Sequence, residues 1–155
     1  KIYNMITIED FKSKQSNKLR FIGLDLGSKR IGVSICDERQ LIATPFKTIK
    51  KTNTNNLINE LKAIIDENKI GGIVIGNPVN MDGSTGRSAQ SVNDIASNIS
   101  KYIDLPVILW DERLSTVGAF TLSSQLDVNV TKRVKTIDQN AAAFILQGAI
   151  DYLNN

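Results

Sequence analysis

The sequence predicts an α/β domain: a five-stranded mixed sheet in the order βββαβαβα with helices on both faces. Two apolar runs, Phe21–Leu26 and Ile31–Cys36, flank the turn Gly27-Ser28-Lys29-Arg30 and read as a hairpin. Beyond them the apolar period changes to that of a helix. Two short runs, Ile73-Val74-Ile75 and Val107–Trp110, are then apolar at every position, as parallel strands buried on both faces require.

In chain order, the first residues, to about Lys18, are polar apart from Ile6, Ile8 and Phe11, and predict either a flexible arm or one short helix. The expected division is an N-terminal arm over 1–20 and a single domain over 21–155. A third strand runs through Ala43 to Ile49 and completes an antiparallel meander. Leu57, Ile58, Leu61, Ile64 and Ile65 recur at helical spacing, with Asn53 or Thr54 as the cap and Gly71-Gly72 as the stop. The turn-rich loop Gly76–Gly86 leads to a second helix with Val92, Ile95, Ala96 and Ile99 inward. Pro106 precedes the strand Val107–Trp110, and a further helix starts near Ser115 or Thr116. A basic loop with Lys132, Arg133 and Lys135 leads to a last helix, which Asp138 opens and whose core face carries Ala141, Ala142, Ile145, Leu146, Ala149 and Ile150.

A chain of 155 residues is one ordinary domain that needs no staple. With no histidine and one cysteine, Ser–His and Cys–His nucleophile pairs and ordinary zinc sites are excluded, and Cys36 reads as a small buried hydrophobe. No apolar run approaches the length of a membrane span, and the expectation is a cytoplasmic protein without membrane contact. The 19 basic and 16 acidic residues give a net charge of only +3, but the cations cluster: Lys12, Lys14, Lys18 and Arg20; Lys47, Lys50 and Lys51; and Lys132, Arg133 and Lys135. Each cluster alone reads as solvated surface; together, beside an acidic site, they suit a polyanion.

That acidic site is the sharpest feature of the chain. Asp25 interrupts an apolar strand, where an uncompensated charge is costly. Asp111 and Glu112 follow another apolar run, and Asp138 adjoins the last helix. Sites in such sheets lie beyond the carboxyl ends of neighbouring parallel strands, so these separated acids can converge on one divalent-cation site. Strand alternation directs only one of Asp111 and Glu112 toward it. Taken singly, Asp138 reads as an N-cap and Asp111-Glu112 as a solvated strand exit. Arg113 either pairs with one of those acids or contacts phosphate.

Four motifs, Gly23-Leu-Asp-Leu-Gly27 with Arg30-Ile-Gly-Val33, Gly76-Asn-Pro-Val-Asn-Met-Asp-Gly83, Asp111-Glu-Arg-Leu114, and Asp138 before Ala141–Gln147, closely resemble the YqgF/RuvX family of RNase H-like nucleases over roughly residues 21–153. The resemblance implies the RNase H fold and a metal-dependent nuclease that matures the 5′ end of pre-16S ribosomal RNA, with Holliday junction resolution of branched DNA as the alternative. It implies Asp25, Glu112 and Asp138 as catalytic residues, the same three with Asp111 as the metal set, and Mg²⁺ or Mn²⁺ as the cofactor. Lys29, Arg30, Asn80, Arg87, Arg113, Lys132, Arg133 and Lys135 are the expected nucleic-acid contacts. Asn77 stands where some wider relatives place an acid, which leaves the number of metals open. The expected partners are precursor rRNA and ribosomal particles, and the expected state is a monomer or weak homodimer. A phosphate loop of the sugar-kinase and actin type, or a catalytically silent assembly module, are further readings of the same glycine-rich hairpin.

Overall fold

A computed structural model of the chain describes residues 5–14, 19–27, 29–77, 87–111 and 130–154. The elements are β1 (Met5–Ile6), α1 (Ile8–Lys14), β2 (Arg20–Leu26), β3 (Arg30–Cys36), β4 (Ala43–Lys50), α2 (Thr54–Asn68), β5 (Ile70–Asn77), α3 (Arg87–Tyr102), β6 (Val107–Asp111) and α4 (Val130–Asn154). The helix expected near Ser115 lies outside the described residues.

The strands lie side by side in the order β1-β6-β5-β2-β3-β4. Strands β2, β3 and β4 form the predicted antiparallel meander, and β5 and β6 join the other edge of β2 in parallel. The predicted five-stranded mixed sheet is therefore present. It is extended by the two-residue β1, which pairs with Val107 and Ile108 of β6. This part of the arm is folded onto the domain: Phe11 of α1 is buried and meets Phe21 edge-on at 5.1 Å between ring centres.

Alternation along the strands builds two cores. Ile22, Leu24, Ile31 and Val33 face Leu57, Leu61 and Ile64 of α2 and Val92 and Ile99 of α3. Phe21, Val74, Ile108 and Trp110 face the other way, against Ile145, Leu146 and Ile150 of α4 and Phe11 of α1. Burying these apolar side chains on both sheet faces is the main favourable term in folding.

Two local expectations are corrected. Helix α2 starts as predicted, with the Asn53 side chain accepting from the Asn56 N–H at 2.9 Å. Its left-handed end, however, is Lys69 (φ 54°), while Gly71 and Gly72 lie inside β5. A Cβ on Gly71 would meet Leu19 Cβ at 2.6 Å, so close packing by the neighbouring strand, not a helix stop, requires that glycine. Second, Lys132, Arg133 and Lys135 are not in a loop: they occupy the first turns of α4, and Asp138 lies well inside that helix and cannot be its N-cap. Val130, Val134, Ile137 and Ala141 already carry the helical spacing that identifies those turns.

Candidate active site

Asp25 sits next to the end of β2, half-buried, opposite Gly32 of β3. The alternation that sends Ile22 and Leu24 toward α2 and α3 puts Phe21, Gly23 and Asp25 on the face covered by α4. Gly23 is what lets α4 come close. A Cβ there would collide with Ser34 Oγ and stand 2.7 Å from Leu146 Cβ and 3.0 Å from the Ala142 oxygen. In the space this leaves, the Ser34 hydroxyl donates to the Ala142 carbonyl at 2.8 Å.

The direction of α4 follows from its far end. Asn154 donates to the Gln40 carbonyl at 2.7 Å, and Gln40 in turn donates to the Leu19 carbonyl at 2.7 Å. The carboxyl end of α4 thus lies beside the start of β2, and the two run antiparallel. From the Gly23–Ala142 contact, two residues along β2 to Asp25 cover about 6.6 Å. One turn back along α4 to Asp138 covers about 6 Å in the same direction. The backbone register therefore carries Asp25 and Asp138 to the same end of the sheet, although the Asp138 side chain lies outside the described set.

Asp111 pairs with Asn77 at the ends of β6 and β5. Trp110 belongs to the α4 side and Leu109 to the α2–α3 side, so alternation puts Asp111 on the face opposite Asp25. Glu112 is outside the described residues, as are Asn80 and Arg113. Arg87 is the first residue of α3, with its side chain outside the described set. Among the described residues no three acidic or thiol side chains gather as a cation cage.

Lys29 and Arg30 are exposed in the turn and at the start of β3, at the same sheet end as Asp25. The turn is closed by the Gly27 N–H donating to the Arg30 carbonyl at 3.0 Å. Sequence reasoning left two neighbours out of the site. Lys50 is the register partner of Arg30, and the Lys51 N–H donates to the Lys29 carbonyl at 3.0 Å. The hairpin pairing of β3 with β4, already legible in the sequence, was the signal that would have brought all four cations together.

The donor chemistry at this end is oxygen only. With no histidine in the chain and Cys36 buried at the other end of β3, accepting from the Phe21 N–H at 3.2 Å, the residues suit a hard divalent cation and not zinc.

An α/β sheet of this order, with a strand carboxylate at its centre, defines the fold class as RNase H-like. The fold superposes on Thermus thermophilus RuvC in complex with a Holliday junction substrate, with a TM-score of 0.55 and 11% identity over 84% of this chain and 91% of that one. It also superposes on the yeast mitochondrial Holliday junction resolvase Ydc2, with a TM-score of 0.54 and 13% identity over 95% of this chain and 84% of the other. At such identities the likeness is one of fold. Residues 19–152 match the family described as "RuvX: Holliday junction resolvase", and the chain belongs to that family. A relative from Pelagibacter ubique, provisionally named a pre-16S rRNA nuclease, is 86% identical over 97% of this chain and 100% of its own length. One from Cereibacter sphaeroides with the same name is 44% identical over 95% of this chain and 92% of its own. The chain is accordingly a nuclease, a hydrolase of phosphodiester bonds in nucleic acid. No helix among the described residues is long and apolar enough to cross a membrane.

Proposed function

We propose that this nuclease trims precursor ribosomal RNA, cutting single-stranded or loosely structured RNA beside the 5′ end of 16S rRNA, with Mg²⁺ or Mn²⁺ as its cation. The observation that carries the catalytic part is the single acid of β2, Asp25, directly after the apolar residues 21–24, with α4 registered over it so that the backbone of Asp138 falls at the same level. Asp25, Glu112 and Asp138 would hold the cation. When bound, the cation would polarise an attacking water and neutralise charge on the phosphodiester.

The chain's own residues bind and orient. Hydrogen-bonded pairing of β2 with β3 fixes the backbone of Asp25 against Gly32, so the carboxylate loses little freedom on taking a ligand. Lys29, Arg30, Lys50 and Lys51 form a cationic rim beside it that suits the phosphates of a strand lying across the hairpin. Phosphate contacts of this kind position a strand without reading its bases, which fits a substrate selected by position next to an rRNA end. The RNA reading is also supported by the names of the two relatives above.

The test is a pair of single-turnover assays with purified protein, one on a precursor 16S rRNA fragment and one on a four-way DNA junction, each with Mg²⁺, Mn²⁺ or Ca²⁺. Faster cleavage of the RNA, with Ca²⁺ inactive, is expected. Paired symmetric nicks across the junction by a stable dimer, faster than any RNA cut, would establish branched DNA as the substrate instead.

A further inference from the structure

The end of the sheet remote from Asp25 carries a second concavity, of about 440 Å³. Its apolar walls are Ile35, Ile42 and Phe46, and its polar groups include Arg20, Thr44 and Asn68 at the end of α2. Arg20 Nε is buried there with no acceptor among the described residues. None of the hydrogen bonds made by the groups around it goes to that nitrogen. The Thr44 hydroxyl donates to the Ile35 carbonyl at 3.2 Å, and the Asn68 amide donates to the Ile64 carbonyl at 2.9 Å. Asp37 also lines the concavity, and its Oδ1 accepts from the Leu41 and Ile42 N–H groups at 2.8 and 2.9 Å and so serves its own loop. A buried guanidinium N–H without an acceptor is costly, and the group that fits it best is a carboxylate.

The loop between β3 and β4 adds a second observation. It is held firmly: besides the two bonds to Asp37, Gln40 is buried and reaches the Leu19 carbonyl, Asn154 reaches the Gln40 carbonyl, and Gln147 donates to the Leu41 carbonyl at 2.9 Å. Yet this fixed loop and its neighbours present apolar side chains to solvent, with Leu41 51%, Ile42 62%, Phe46 43% and Leu19 43% exposed. An ordered apolar surface of this kind is ready for contact at little entropic cost.

We propose that this concavity docks a protein partner through a segment that pairs an aliphatic or aromatic side chain with an adjacent Asp or Glu carboxylate. The apolar residue lies against Ile42 and Phe46 while the carboxylate accepts from Arg20. Leu19 and Leu41 extend the apolar surface beyond the concavity itself, which favours a protein over a small ligand. The five residues from Arg20 to Asp25 span about 16 Å, so the partner leaves the nuclease end open to substrate and acts as a tether. This docking site stands independently of which nucleic acid is cut.

The test selects a phage-displayed dodecapeptide library against the full chain and in parallel against Ile42→Asp and Arg20→Gln. The expected result is enrichment of peptides with Asp or Glu within two positions of Phe, Leu or Ile. A synthetic peptide of the enriched sequence should shift the amide resonances of Ile35, Thr44 and Asn68 and bind each variant at least tenfold more weakly. Cleavage of naked RNA should be unchanged in Ile42→Asp. If Arg20→Gln loses its thermal unfolding transition, Ile42→Asp, at a solvent-exposed side chain, decides alone. Absence of that sequence pattern, or equal binding to the variants, overturns the proposal. So does perturbation of the same resonances by an RNA oligonucleotide or inorganic phosphate and not by peptide.

Discussion

Ser34 Oγ donates to the Ala142 carbonyl at 2.8 Å, a fully buried bond that ties the central hairpin to the last helix across 108 residues of sequence. It forms only because residue 23 has no side chain, since a Cβ there would occupy the place of the Ser34 hydroxyl. The level at which α4 crosses β2, and so the level of Asp138 relative to Asp25, is set by this small pocket of glycine, serine and carbonyl.

Gly23→Ala therefore overpacks the contact and should cost about 1–3 kcal/mol of stability. Ser34→Ala, which removes only the hydroxyl, should cost about 1 kcal/mol. Urea unfolding of both variants measures the difference. Gly23→Ala should also lower the cleavage rate under conditions where it remains fully folded, because α4 must shift over the strand that carries Asp25.

Asp25→Asn should reduce phosphodiester cleavage by at least about 100-fold, because it removes a carboxylate that would hold the cation. The thermal transition should stay in place, since Asn has nearly the shape of Asp and leaves the backbone pairing with Gly32 intact. Cleavage at the wild-type rate in saturating Mg²⁺ would remove Asp25 from the site.

Replacing Lys132, Arg133 and Lys135 together with Gln should weaken binding of nucleic acids of equal length by a similar factor whatever their sequence. Loss of three phosphate contacts on a single strand should flatten the plot of log K against log salt by about 2 units. The three positions are helical, so Gln, a good helix former, keeps the backbone effect small. An unchanged slope would make them solvated surface.

Burial pushes the Cys36 thiol above its ordinary value of 9.0. A raised folded pKa means that the unfolded chain loses the proton first. The thiol's contribution to stability is therefore full below about 9 and is lost as pH rises toward the folded value. Iodoacetamide at pH 8 should label Cys36 only at the rate of opening, and should label it quickly in denaturing urea. Fast labelling of the native protein would contradict the burial.

Much of this fold was legible because alternation and helical spacing are properties of neighbouring residues. The hairpin around Gly27, the helix from Leu57 to Ile65 and the two buried parallel strands all announce themselves locally. Strand β1 could not, since two residues carry no period and Met5–Ile6 becomes a strand only because the edge of β6 accepts it. The first turns of α4 were misread because three cations outweighed the spaced Val130, Val134 and Ile137. At the site, Asp25 stood out as a charge in an apolar run. The roles of Gly23 and Ser34 depend on a helix more than a hundred residues away, and nothing near them in sequence points to it.

The second core has a consequence for the order of events during synthesis. Phe21, Val74, Ile108 and Trp110 are complete as a sheet surface before the residues that cover most of it, Ile145, Leu146 and Ile150, have left the ribosome. A nascent chain halted before α4 therefore presents a broad apolar surface, a natural substrate for chaperones and a risk for aggregation. The same delay means that the backbone of Asp138 cannot reach the level of Asp25 until the closing helix docks. Nucleolytic competence on this reading arrives all at once, when α4 docks, and a chain cut short before α4 is inert.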